Sequence, residues 1–405
     1  MQKFVDLGVS VFDADFTLNP YNYLRDIYNR KDILGFRSDN MNFLFRFDQG
    51  RAVIFNKDCP RAMGNNDELR QLEASYAACF PTRAWHFQNS YTHGAPDLKF
   101  KAAIGRFIAQ VAEQASFTGA EDIFARLSQG GTLDNYVDKV ATLPMQVFLD
   151  TCKLPYDQHE LAELHRSGSA FLKSLENFYD EALIADCDTG LAYIRDYMQG
   201  RFYKLESDSP LHGLIEAGRV CGMTDDQLIA NIGGMFLTSI SNTVGISSAF
   251  ILRSLLREPQ AMQTLRERPE LARSERVIME LLRRDNHVKA LSRQFDKPMK
   301  IGDFRISAGE VICLYFPGFS MDPNQWSQPD TIDLGREFAG ENNIIFGGSL
   351  YTCIGRKLTM AFLANIIDGF IRHLPPTASI SDDDIVVDGS WMAERIIARM
   401  PIRLE

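Results

Sequence analysis

Phe346-Gly347-Gly348-Ser349-Leu350-Tyr351-Thr352-Cys353-Ile354-Gly355 is the stretch whose reading decides the fold. Two glycines precede a lone cysteine and one follows it, and Arg356-Lys357-Leu358 then opens a run to His373 with apolar residues at helical spacing. Glycines let backbone approach a flat ligand closely. The amides and dipole at the start of the following helix favour an anion, so Cys353 is placed to act as a thiolate, which binds iron. Taken alone, the loop reads equally well as the setting of a buried structural cysteine.

The other cysteines (Cys59, Cys79, Cys152, Cys187, Cys221 and Cys313) form no Cys-x-x-Cys pair, which removes the usual spacing for zinc or iron-sulfur clusters. They read as reduced thiols serving as small hydrophobes. A length of 405 residues with 45% hydrophobic and 24% charged side chains allows a large core. The net charge of -10 argues against a nucleic-acid binder, because phosphate recognition needs a concentrated basic face. Lys3, Asp6, Asp13, Asp15, Arg25 and Asp26 interrupt the N-terminal apolar positions, and no run of 18 apolar residues occurs anywhere. The expectation is a cytoplasmic protein with no membrane segment.

No repeat, low-complexity tract or long Pro/Gly/Ser linker divides the chain, so residues 1–405 read as one domain. Helical spacing of apolar residues runs over 134–152, 158–182, 225–257 and 274–284. Strand patterns are fewer: Phe43 to Phe47 with Ala52 to Phe55, then 304–306 and 311–314 as a hairpin around Ser307-Ala308-Gly309. The predicted class is mainly helical with small sheets.

Glu280-Leu281-Leu282-Arg283 lies on a helix that Ser274 is placed to cap, and a spacing of three puts both charges on one face. The pattern is common by chance, and a solvated surface pair is its ordinary meaning. Upstream, Thr224-Asp225-Asp226-Gln227 opens a helix so apolar that it must be buried on most sides.

The cysteine loop resembles the haem loop of the cytochrome P-450 superfamily, Phe-Gly-x-Gly-x-(His/Arg)-x-Cys-x-Gly, with matching Phe346, Gly347, Cys353 and Gly355. Ser349 replaces the second glycine, and Tyr351 replaces the basic residue that meets a haem propionate. Glu280 and Arg283, followed by Arg336 in Ile332-Asp333-Leu334-Gly335-Arg336, resemble the family's Glu-Arg-Arg network in the same order. Arg293 resembles the propionate-pairing arginine. The segment 93–101 resembles the family's approach to the helix crossing the haem, with Leu98 and Ala102 where His and Arg stand and with Lys99 or Lys101 as substitutes.

Residues 233–243 resemble the oxygen-activating helix, usually (Ala/Gly)-Gly-x-(Asp/Glu)-Thr. Counting from Leu228 puts Ser241 at the acid position and Asn242 at the alcohol; counting back from Pro259 puts Asn242 and Thr243 there. The first register is preferred because it sets Thr238-Ser239 at the small-residue kink. Neither supplies a carboxylate, yet Asn242 can orient a relay water.

The resemblance implies a triangular, mainly helical domain around haem b, with Cys353 as axial ligand. It also implies oxidation of a small apolar or aromatic substrate with O2, and electrons from a ferredoxin or flavodoxin received near Arg356 and Lys357. The segments it places above the haem are Phe80, Trp85 and Phe87; Met235, Phe236 and Thr238; Ala290 and Leu291; and Trp391 and Met392. Oxidative phenol coupling without oxygen insertion, and a haem sensor or carrier without turnover, stay open as alternatives.

Overall fold

The computed structural model describes residues 3–56, 58–59, 67–90, 98–117, 132–175, 177, 179–338, 344–348 and 352–404. A five-stranded sheet holds one side of the molecule, built from β1 (Phe4–Asp6), β2 (Gly35–Ser38), β3 (Met41–Leu44), β5 (Ala290–Gln294) and β8 (Val311–Tyr315) in the order β1-β2-β3-β8-β5. The β3–β8 pairing is parallel and β8–β5 antiparallel, so strands far apart in sequence lie side by side. Three two-stranded ribbons complete the β structure among the described residues: β4 (Thr132–Leu133) with β11 (Ile402–Arg403), β6 (Met299–Ile301) with β7 (Phe304–Ile306), and β9 (Val386–Val387) with β10 (Ile397–Arg399).

Four predicted elements differ. The segment 52–55 belongs to helix α1 (Phe47–Ile54), whose Phe47, Gly50, Val53 and Ile54 are buried at helical spacing. A Cβ on Gly50 would lie 2.7 Å from the ring of Phe319, so that face docks too closely for any other residue. Strands 304–306 and 311–315 do not pair with each other: β7 pairs with β6, while β8 joins the main sheet. Gly309, at φ +78°, turns the chain from the ribbon into the sheet. The helical run 158–182 breaks into α4 (Gln158–Ser174) and α5 (Glu181–Phe202), named after α2 (Pro81–Asn89) and α3 (Leu98–Gln114). Asn177 donates to the carbonyl of Lys173 at 2.7 Å and Asp180 caps Leu183 N at 3.1 Å, so local polar bonds end one helix and start the next. Similarly, the predicted run 134–152 is interrupted after Tyr136–Val140 and resumes at Leu143–Thr151.

The central helix occupies residues 225–257. It starts at a reciprocal cap between Thr224 and Gln227 and runs as α6 (Asp225–Asn231), a π-helical turn (Ile232–Leu237) and α7 (Thr238–Arg257). From Val244 to Leu255 every residue is buried. Around it pack α4, the Leu143–Thr151 helix, α8 (Glu275–Arg284) and α9 (Arg356–His373). Ser274 precedes α8 at the N-cap position, but its hydroxyl makes no capping bond. Among the described residues no helix is long and apolar enough to cross a membrane.

Candidate functional site

Cys353 is exposed, three residues before α9 begins. Its amide donates to Phe346 O at 2.8 Å and Gly347 N donates to Ile344 O at 2.9 Å, with Gly347 at φ +73°, so the backbone folds tightly around the thiol. Arg356, at the first turn of α9, pairs with Glu275 of α8 and lies 5.8 Å from the Phe346 ring centroid. Gly355 caps α9 without a side chain and stands 3.7 Å, measured from where a Cβ would be, from Cys353 Sγ. Ser349 and Tyr351 lie outside the described residues.

Glu280, Arg283 and Arg336 meet in the interior. Arg283 grips Glu280 with Nε at 2.7 Å and Nη2 at 2.9 Å, and Arg336 Nε donates to Glu280 Oε2 at 2.8 Å. Asp333 N adds a bond to Oε1 at 2.8 Å. Arg283 also donates to the carbonyls of Ser320 and Pro329, both at 2.7 Å, and of Thr331 at 3.1 Å. Glu280 and Arg283 are 0% exposed, which sets this cluster apart from a surface pair: both charges are fully hydrogen-bonded and hold the 320–336 loop against α8.

Ser239, Asn242 and Thr243 interrupt the burial of the central helix. Ser239 is exposed and the other two half-buried, and their i, i+3, i+4 spacing places them on one face. Helices pack around this segment, and that face is the accessible break in it among the described side chains. Thr243 Oγ1 donates back to the carbonyl of Ser239. Asn242 Nδ2 instead donates to Ser169 Oγ of α4 at 2.8 Å, so its amide is engaged by a neighbouring helix. The side chains of Ser241, Met235, Phe236, Thr238 and Lys99 lie outside the described ones.

The π turn gives the two sequence registers a physical origin. Such a turn inserts one residue into an α-helix. A count from Leu228 crosses the insertion and a count from Pro259 does not, so they disagree by one. Past the turn, Asn242 and Thr243 share the open face with Ser239, and the side chain of Ser241 lies outside the described ones.

Arg293, in β5, is buried and donates Nη1 to Ser292 O at 2.8 Å; Lys101, in α3, is half-buried. Leu291 is half-buried, and with Val288 it packs on the cluster that contains Ile344, at the start of the cysteine loop. Ala290 and Met392 are corrected: both belong to the aromatic core of Phe16, Phe36, Phe43 and Tyr315, because alternation along β5 turns Ala290 away from the side taken by Leu291. Trp391 is buried and donates Nε1 to Asp388 at 2.9 Å. In α2, Phe87 lies under the Arg83 guanidinium at 4.4 Å and Trp85 near Arg195 of α5 at 5.8 Å; Phe80 precedes the helix and packs on Tyr76.

Two histidines had no place in the sequence reading. His86 of α2 is buried against the π turn: a Cβ on Gly234 would lie 1.8 Å from its Cε1. Gly234 is the signal that could have revealed a close approach there. His287 Nδ1 lies 2.9 Å from Ser247 Oγ, and Ser247 donates to Thr243 O, so the imidazole is linked to the open face of the central helix. Burial pulls His287 down to about 4, which makes it neutral at pH 7. Nothing local in the sequence marked it.

The donor set suits a thiolate-ligated haem. One exposed cysteine stands at a helix start, a buried arginine lies in β5, and an accessible strip with hydroxyl and amide groups breaks a sealed helix. Among the described residues no group of three or more His, Cys, Asp or Glu forms an alternative metal site.

Comparison with known proteins agrees with this geometry. Residues 211–380 match the family model described as Cytochrome P450. Cytochrome P450-SU2 of Streptomyces griseolus is 26% identical over 258 residues, covering 63% of this chain and 61% of that protein. Mycocyclosin synthase of Mycobacterium tuberculosis is 26% identical over 292 residues, covering 69% and 72%. Among solved structures, CalO2 superposes with a TM-score of 0.80 at 19% identity, over 98% of each chain.

Proposed function

We propose that this chain, whose residues 211–380 match the Cytochrome P450 family model, is a haem-thiolate oxidoreductase of specialised metabolism that uses O2 to hydroxylate or otherwise oxidise a small apolar or aromatic molecule. The observation that carries the reading is Cys353, exposed at the start of α9 in a loop closed by its bond to Phe346 and moored to α8 through Arg356 and Glu275. Haem b, when bound, supplies the activation of O2. Cys353 would ligate its iron and Arg293 would pair with a propionate, a carboxylate that suits a planar guanidinium.

The chain's own contribution is proton handling and shape. Thr243, its hydroxyl tied to the Ser239 carbonyl, lies on the open face, while Ser247, bonded to neutral His287, donates to the Thr243 backbone carbonyl. Asn242 positions α4 over that face. The whole chain is read as one cytoplasmic domain, taking electrons from a ferredoxin or flavodoxin at the Arg356 and Lys357 side.

Ser239, Asn242 and Thr243 carry no carboxylate, and this favours keeping a second reading: oxidative phenol coupling, in which hydrogen is removed and no oxygen is inserted. The mass of the product formed under labelled oxygen separates the two. The test of the common premise is the ferrous carbon-monoxide spectrum of holoprotein. Cys353→Ala should lose the thiolate band, while single replacement of any other cysteine keeps it. A thiolate band surviving in Cys353→Ala would overturn the assignment.

A further inference from the structure

Glu394 is a buried acid of a different kind from the others in this chain. Asp285 is held by Arg253, Arg395 and Ser254, and Glu280 by two arginines and an amide. Glu394 is 7% exposed, and its Oε2 is sealed from solvent with no hydrogen-bond partner among the described residues. Burial alone acts on it and pushes it up to about 7. An acid retained for structure would be paired, because an unpaired buried carboxyl costs stability.

Its position gives it a place in the candidate site. Glu394 forms an antiparallel bridge with Val288, and Ala393 O accepts from both Lys289 N and Ala290 N. Residues opposite each other in a bridge project to the same side, so Glu394 shares the side of Val288, a half-buried side chain on the cluster that contains Ile344, at the start of the cysteine loop. The cations next to it in the chain and across the bridge turn away. Lys289 Nζ lies over the Phe12 ring at 4.5 Å, Arg395 reaches Thr17 O and Asp285, and His287 faces Ser247. Trp391, three residues earlier, has its N–H committed to Asp388 and offers only ring surface.

We propose that Glu394 is a specificity-determining carboxylate on the wall of the substrate chamber, recognising a cationic nitrogen on an otherwise apolar substrate. The inference rests on the haem-thiolate reading, which supplies the chamber. A cation brought in by the substrate completes the ion pair that the described residues leave open. A neutral hydroxyl would gain one ordinary hydrogen bond and leave the charge uncompensated.

The test uses haem-loaded protein and two probes of one shape: phenethyltrimethylammonium, which cannot ligate iron, and its neutral carbon isostere. Calorimetric titration should show the cation bound at least about tenfold more tightly by the wild type, with the preference lost in Glu394→Gln and in Glu394→Leu. Affinity for the neutral isostere should hold or rise in both variants. Equal affinities in the wild type, a preference that survives both substitutions, or no binding of the cation at millimolar concentration would overturn the proposal. The carbon-monoxide spectrum of the same samples separates the failures. A wild type without the thiolate band refutes the haem-thiolate reading, whereas a normal band without a Glu394-dependent preference refutes this inference alone.

Discussion

Thr243 and Asn242 are neighbours with different employment. The threonine hydroxyl bonds within its own helix and sits on the open face, whereas the asparagine amide ties α7 to Ser169 of α4. Thr243→Ala should therefore divert reducing equivalents to hydrogen peroxide, with haem content and ligand binding near normal. Asn242→Ala should mainly loosen α4 and weaken ligand binding. Coupling efficiency and ligand affinity, measured side by side, check the split; uncoupling by Asn242→Ala alone would reverse the two roles. Glu394 gives a residue-scale stability prediction. Its acid is raised from 4.5 to about 7, so the native state holds the proton more tightly than the unfolded chain does. The resulting penalty is absent below about pH 4.5, grows as pH rises to about 7 and is constant above. Glu394→Gln should gain up to about 3 kcal/mol at pH 8 and nothing near pH 4, as read by denaturant unfolding at each pH. Cys353 and the Glu280–Arg283 pair were legible in the sequence because spacing and order carry them. Glu394 and His287 were not, because their meaning lies in a β-bridge and in a contact spanning 40 residues.

At the scale of elements, the π turn decides where side chains point. Its glycines admit neighbours that no larger residue would: Gly233 meets Ile194 at 2.9 Å and Gly234 meets His86 at 1.8 Å, measured from a built Cβ. Gly234→Ala should destabilise the protein by about 2 kcal/mol or more through overpacking. His86→Ala should recover much of that loss in the double variant, and a thermal-melt double-mutant cycle measures the coupling. Strictly additive effects would mean that the imidazole is not what the glycine accommodates. Periodicity revealed the helix but not the turn, since a one-residue insertion leaves the apolar pattern readable on both sides. The misread strand at 52–55 has a similar cause: four residues cannot distinguish period 2 from period 3.6, and tertiary contact between Gly50 and Phe319 settles it.

The molecule as a whole is held by charges that sequence order alone could link. Glu280→Ala leaves Arg283 and Arg336 buried without their anion and should cost about 3–5 kcal/mol, with apoprotein accumulating. Haem content per chain after purification checks this, and normal loading would reduce the cluster to an ornament of α8. Pairing across the sheet was beyond sequence reasoning, because β3 finds β8 only after most of the chain has been made. The hydrogen bond from Tyr28 Oη to Gly318 O spans 290 positions. At a synthesis rate of about 5–20 residues per second, the first strands wait roughly 15–60 s on the ribosome for their partners. During that interval the rings of Phe36 and Phe43 lie only against other N-terminal rings and lack Tyr315, whose ring meets both edge-on, so slow, cool expression is the favourable regime for yield.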